Sequence, residues 1–375
     1  MSKRKCGSFS RNSKKSECLY RGIRIFFISL HRLFILKMVN ISIIIPIYNV
    51  EKYVLRCLGS VVDQDTEACT IQCVLVDDCG TDGSMSLVRD FISSYSGDVQ
   101  FVILKHDTNH GLSAARNTGI RAATGDFLLF VDSDDDLADN CLKLMADELE
   151  QHPETDVVMG NIYVCKSQSP FMPTTGNVRV ISDKREAFAD LFAMKLNNSA
   201  CNKLVRRELI MEKQLFFQDG LLYEDMLWNY MLFSVMQSIV VIPQVTYTYE
   251  NNPVSIVNTT KAKAEAVTNS FVTISNYVVE HPYRPLIGDS LMYAFGILLK
   301  AVDAQNQYGC SASMRSKLQK AKNHLMALTL KSGRLLMAVF FLVMYKPFSW
   351  LLRLPSFRKH YHQASMIVSK IERRS

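Results

Sequence analysis

The chain has 375 residues, 48% hydrophobic and 21% charged, with a formal net charge of +7. That excludes a disordered or fibrous chain and allows one large or two ordinary domains. The charge is uneven: residues 1–37 carry +9, residues 331–375 carry +8, and the body between is therefore at −10. An acidic body argues against nucleic acid as its partner. Basic ends suit the anionic inner face of a cell membrane, or are solvated tails.

The ten cysteines lack metal-type pairing, and several (Cys57, Cys141, Cys201) sit in apolar helical patterns. This reads as reduced thiols in a cytoplasmic body without a zinc site. Residues 1–37 begin Ser/Lys/Arg-rich. Their apolar part, Ile23 to Leu36, is broken by His31 and Arg32, too short and too charged to span a bilayer. Met38 resembles an ordinary start, so residues 1–37 are expected to be a basic tail outside the translated protein.

From Ile41 strands and helices alternate. Ile41 to Pro46 is a buried strand, Glu51 to Val62 a helix, and Ile71 to Val76 a strand ending in Asp77-Asp78. A Gly-containing turn follows, in which Asp82 is expected to cap the helix running to Tyr95. Phe101 to Leu104 is a strand. Gly111 to Ala123 is a helix whose Ala114, Ala115 and Gly119 allow close approach to a sheet. Phe127 to Val131 is a strand, Asp139 to Gln151 a helix, and Val157 to Val164 a strand. The alternation predicts βαβ units, a parallel sheet and helices on both faces. After a Ser/Pro loop at 167–175, helices are expected at 183–196, 202–212 and 224–236. Short strands follow at 239–242 and 245–249, then helices only from Thr260. The apolar run Leu335 to Tyr345, followed by Lys346, Pro347 and Trp350, fits an interfacial membrane helix or a packed core helix.

Acids gather where strands end. Asp132 and Asp134 close the strand at 127–131, two residues apart, and an extended chain would point both to one side. Two like charges on one side need a cation between them, and a hard divalent ion carrying phosphate is the natural partner. The plain alternative is a solvated acidic turn capping the next helix. Asn49, Asp77-Asp78 and Asp132-Asp134 follow successive strands and would meet at one crevice. No Gly-x-Gly-x-x-Gly loop accompanies them. One acid for a base or ribose and others for a metal is the reading that fits.

With these residues on the page, Ile41 to about Ser255 resembles family 2 glycosyltransferases of the GT-A nucleotide-sugar fold. The likeness rests on Ile43 to Asn49, Val76 to Ser84, Asn109 to Gly119, Asp132 to Asp135, Asn202-Lys203-Leu204 and Tyr223 to Met226. It implies an α/β, Rossmann-like GT-A domain over 38–258 and a helical C-terminal extension over 259–375. It also implies an inverting transfer from a nucleotide-sugar donor to a glycan or lipid-linked acceptor, with Mg²⁺ or Mn²⁺. By the same likeness Pro46 and Tyr48 line the base pocket and Asp78 accepts the pyrimidine N–H. Asp132 contacts ribose or the metal's shell, and Asp134 holds the metal. Arg116 lies near the donor phosphates, Asp225 is the general base and Glu224 orients it. Asp135 and Asp136 hold the loop and start the next helix.

Plainer readings stand beside these: an ion pair on a helix surface for Arg116, a dipole-complementing first turn for Glu224-Asp225, and, for Lys203, a solvated helix-surface residue rather than one that reaches the diphosphate. Cys79-Gly80, where the family more often has Gly-Ser, reads as a mild change in a turn. Two rivals are a nucleotidyltransferase of the same fold, whose Gly/Arg/Lys-rich loop is missing at Tyr48 to Lys52, and a non-catalytic membrane-bound scaffold.

Overall fold

The isoleucine-rich run forms β1 (Val39–Ile47). Ile41, Ile43, Ile44, Ile45 and Ile47 are each at most 1% exposed, so both faces of the strand are covered. That is why the run is continuously apolar rather than alternating. The computed structural model describes residues 38–335 except 68, 194 and 254–262, together with 337, 338 and 341. Next come α1 (Val54–Val62), β2 (Cys69–Asp77), α2 (Ser84–Ser94), β3 (Gln100–Lys105), α3 (Leu112–Ala122) and β4 (Phe127–Phe130). β2 pairs parallel with β1, β3 parallel with β2, and β4 parallel with the other edge of β1. α3 lies close on β1, and a Cβ at Gly119 would run into Ile44 Cγ2. The small residues of this helix set that spacing.

Beyond β4 the sheet becomes mixed: the strand at Ile239–Tyr249 still pairs parallel with the one at Val157–Val164, but antiparallel strands enter beside them. The chain continues as β5 (Asp136–Leu137), α4 (Cys141–Gln151), β6 (Val157–Val164), β7 (Ser169–Pro170), β8 (Arg179–Ile181), α5 (Lys184–Phe192), β9 (Lys203–Arg206), α6 (Arg207–Glu212), α7 (Glu224–Val235) and β10 (Ile239–Tyr249). The sheet runs β3-β2-β1-β4-β9-β6-β10-β5, with β7 on β6 and β8 on β10. β9 fills the gap between β4 and β6 and is antiparallel to both. The helix expected over 202–212 is therefore a strand followed by a short helix. Leu204 and Val205 are fully buried in the sheet, and that pairing overrides helical spacing. The two short strands expected at 239–249 are one strand, with register shifts between Val241 and Tyr247 around Pro243.

Three long helices follow, as expected: α8 (Ala264–Glu280), α9 (Ile287–Tyr308) and α10 (Ala312–Lys331). The stretch Arg284–Tyr308 is long and apolar enough to cross a membrane, but 72% of its most apolar window is covered by protein. Met337, Ala338 and Phe341 are buried, and Phe341 stacks on Phe295 of α9 at 4.2 Å. The front of the C-terminal apolar run thus packs against α9. Residues 342–352 of that run, and residues 1–37, lie outside the described residues.

Candidate active site

β2 and β3 lie on one side of β1 and β4 on the other. At such a switch the loops leaving adjacent strands part and open a crevice beyond the strand ends. Pro46, Tyr48, Asp78, Arg116, Asp132, Asp134, Glu224 and Asp225 all line one cavity of about 1270 Å³ there. That exceeds the roughly 300–1,000 Å³ of an ordinary small-molecule site and leaves room for two ligands. The sequence-derived site residues are thus brought together. Residues of α9, among them Met292 and Tyr293, close the far wall. Backbone in the left-handed region clusters around the crevice at Asn49 (φ 53°), Cys79 (φ 60°), Asn202 (φ 64°) and Tyr223 (φ 60°). Strain of this kind concentrates at sites the surrounding fold over-determines. At Cys79 it shows why glycine suits this turn, so the departure there is not a mild one.

Asp78 is buried at the end of β2 and holds the loop leading into α3. Its Oδ1 pairs with His106 Nδ1 at 2.7 Å and accepts the His110 N–H at 2.8 Å. Its Oδ2 accepts the Gly111 N–H at 2.8 Å and keeps a lone pair. Gly111, at φ +88°, supplies the conformation that aims its N–H there. Pro46 sits in the strand floor, and Tyr48 stands on the rim, 46% exposed. Asp82 accepts from Ser84 N and Oγ and from Glu51 N, joining two loops as well as anchoring the start of α2.

The acidic cluster is not extended. β4 ends at Phe130, and Asp135 N donates to Asp132 O in a tight turn. The turn, not the alternation of a strand, brings Asp132 and Asp134 to the cavity. Asp135 is buried and accepts from Tyr247 Oη at 2.7 Å and from Glu250 N at 2.8 Å, tying the turn to β10. It does hold the loop. Asp136 opens β5 rather than a helix and pairs with Arg56 at 2.7 Å, because the chain first crosses back to β10. Asp134 Oδ2 accepts from Asn252 Nδ2 at 2.8 Å. Burial, and then the charge of Asp132, push the Asp134 carboxyl above its ordinary range.

Arg116 is no surface residue. Its side chain is 3% exposed, and it donates to Glu224 Oε1 at 2.5 Å and to Asp132 Oδ1 at 2.7 Å, with Phe217 under its guanidinium at 5.1 Å. Burial works against its charge, but Asp132 and Glu224 outweigh burial and push the guanidinium well up. It ties the β4 turn to the start of α7. That helix begins at Tyr223, whose ring stacks on Phe271 at 5.0 Å. α7 is covered on nearly every side, including Trp228, Tyr230, Leu232 and Phe233, rather than amphipathic, because α5, α8 and α9 pack around it.

Asp225 stands at the helix N-terminus beside this knot. Burial first, and the adjacent Glu224 charge second, push it up to about 7. Lys203, read from sequence as a solvated helix residue, is fully buried. Its ammonium donates to Asn197 O at 3.1 Å, to Asn197 Oδ1 at 2.8 Å and to Ser199 O. Burial lowers it to about 7, against the pull of Asp225. Sequence reasoning also missed Tyr247, Asn252 and the 197–199 turn. The one available signal was the alternation Cys201-Lys203-Val205, which fits a strand.

Among the described residues no group of three or more His, Cys, Asp or Glu is arranged to hold a metal ion by itself. The chemistry of the turn nonetheless suits a hard divalent cation that brings further oxygen ligands with it. Asp132 and Asp134 offer carboxylate oxygens, and Asp134, raised first by burial and second by the charge of Asp132, sits beside negative charge that a cation would relieve.

A mixed α/β sheet with carboxylates at its switch point is the GT-A architecture. Residues 42–212, just under half of the chain, match the model of glycosyl transferase family 2. It is 26% identical over 283 residues to the uncharacterized glycosyltransferase EpsJ of Bacillus subtilis, covering 74% of this chain and 73% of EpsJ. The structure of Staphylococcus aureus TarS 1–349 in complex with UDP has a TM-score of 0.62 at 20% identity, over 89% of this chain and 91% of that one. Mannosyltransferase PcManGT from Pyrobaculum calidifontis, in complex with GDP-Man and Mn²⁺, has a TM-score of 0.52 at 16% identity, over 89% and 87% of the two chains. At these identities the solved structures speak for the fold.

Proposed function

We propose that this protein is an inverting glycosyltransferase. It moves a sugar from a nucleoside diphosphate donor, a uridine diphosphate sugar, to a hydroxyl of a lipid-linked or growing surface glycan at the inner face of the cell membrane. The observation that carries the reading is Asp225, raised to about 7 at a helix N-terminus, in one cavity with the Asp132–Asp134 turn. A carboxylate with that pKa is a competent base near neutral pH. The UDP of the TarS complex supports the donor class, and the basic ends support the membrane location.

Pro46, Tyr48 and Asp78 bind the base, with the free lone pair of Asp78 Oδ2 facing the pyrimidine N–H. Asp132 and Asp134 would hold Mg²⁺ or Mn²⁺, which when bound neutralises charge on the departing diphosphate. Arg116 keeps Asp132 and Glu224 in register, and Glu224 orients Asp225. Asp225 takes the proton of the acceptor hydroxyl as that oxygen attacks the anomeric carbon. The bond to the diphosphate oxygen breaks on the opposite side, and the anomeric centre inverts.

The test is donor hydrolysis over a panel of nucleotide sugars with the full chain. Turnover of a UDP-sugar is expected; binding and turnover of none would overturn the reading.

A further inference from the structure

Asp78 lines the cavity, and a chain of two side chains runs from it into the protein behind. Its Oδ1 pairs with His106 Nδ1 at 2.7 Å, with side chains 4% and 12% exposed. The other donors to Asp78 are the backbone N–H groups of His110 and Gly111, so among the described residues His106 is the one side chain that bonds it. Oδ1 is filled by two donors, and the position left open is on Oδ2. The imidazole is itself held. Nδ1, facing a carboxylate, carries a hydrogen, and Nε2 meets Thr118 Oγ1 of α3 at 2.9 Å. The His106 N–H donates to Asp77 O at 2.9 Å, and Cys79 Sγ donates to His106 O at 3.2 Å, so its backbone is tied on both sides of Asp78. The ring of His110 turns instead to Asp107. Hydroxyl, imidazole and carboxylate in this order elsewhere activate a nucleophile. Here Asp78 lines the cavity and Thr118 and His106 do not, so the chain serves the carboxylate end.

We propose that His106, steadied by Thr118, is a positioning residue that sets base selectivity. It holds the Asp78 carboxylate so that the open lone pair of Oδ2 accepts the ring N–H of uracil and rejects cytosine. Uracil carries a hydrogen on N3. Cytosine presents a lone pair there, and two lone pairs facing each other repel. The distinction holds only while the carboxylate cannot turn about its Cβ–Cγ bond. Without the imidazole donor, Oδ1 keeps one backbone N–H, and the group is free to swing Oδ2 out of line. His106 touches no ligand and acts through Asp78. The inference rests on Asp78 being the residue that meets the base of the donor.

The test is titration calorimetry of UDP and of CDP, each with Mn²⁺, on the full chain. The two ligands differ only in the base, so the ratio of their affinities reads the base pocket. The unaltered protein should bind UDP about tenfold or more tighter than CDP; equal affinities overturn the proposal. His106→Leu should lower that ratio about fivefold or more, while His106→Asn, whose amide N–H takes the place of the Nδ1 hydrogen, should keep it within about twofold of the unaltered value. A ratio unchanged in His106→Leu refutes the proposal, and so does equal weakening of both nucleotides, which a merely structural role would give. A loss that His106→Asn does not restore refutes the donor role. Should His106→Leu fail to fold, Thr118→Val carries the test: releasing the ring should lower the ratio, and an unchanged ratio refutes the proposal. Failure of the unaltered protein to bind either nucleotide would strike the glycosyltransferase reading itself, whatever His106 does.

Discussion

Arg116→Met takes one cation from between two carboxylates. The arm to Glu224 is buried on both sides, with 3% and 5% side-chain exposure, whereas Asp132 is 29% exposed and partly screened by water. The Asp132 arm therefore counts for ~1 kcal/mol or less, and the loss falls on Glu224. Stranding a buried carboxylate costs about 3–5 kcal/mol, a large share of the ~5–15 kcal/mol of a domain. Burial already raises Glu224, and Arg116 holds it down. Without Arg116 its pKa rises further, so the penalty is full above that pKa and is relieved as pH falls and Glu224 protonates. Urea unfolding at about pH 8 and about pH 5 should show the larger loss at the higher pH. Adding Glu224→Gln to Arg116→Met should recover at least ~2 kcal/mol at the higher pH. A loss under ~1 kcal/mol, or an equal loss at both pH values with no recovery, would refute the buried-knot argument.

Three further outcomes are expected. Gly119→Ala should lower the melting temperature: alanine gains ~1 kcal/mol of helix propensity, but its Cβ meets Ile44, and overpacking costs ~1–3 kcal/mol. A rise in melting temperature would mean that α3 can move off the sheet. Asp134→Ala should abolish the Mn²⁺-dependent part of UDP binding in calorimetry and leave metal-free binding as it was; an unchanged metal response would remove Asp134 from that role. The rate of transfer should climb about tenfold per pH unit up to about 7 and then level, because Asp225 acts only when ionised and burial places its proton loss there. A profile flat down to about pH 5 would exclude Asp225 as the base.

The first half of the sheet was legible because β1, β2 and β4 are buried on both faces and end at turn residues, so their sequences read as apolar runs, closed by acids in β2 and β4. Asp78, Asp132 and Asp134 were visible for the same reason. β7, β8 and β9 have 2, 3 and 4 residues, too few to carry a period. Lys203 was misread because a lysine signals solvent unless something buries acceptors around it, and those acceptors come from the folded 197–199 turn. Arg116 was placed in the site, but its second partner Glu224 lies 108 residues away, and only the fold joins them. Tyr247 and Asn252 likewise reach the acidic turn across more than a hundred residues of chain. The helical shape of α7 was legible and its burial on nearly every side was not, because the helices that cover it, α5, α8 and α9, are brought there by the fold.

The account turns on Asp225 as the group that takes the acceptor's proton. With the donor found by the nucleotide-sugar panel, transfer and UDP binding should be measured on Asp225→Asn, which keeps the shape of the side chain and removes its basicity. Transfer should fall by about 10²–10⁴-fold while UDP affinity stays within about twofold. Transfer that persists in Asp225→Asn, or UDP binding that disappears along with it, would contradict the account.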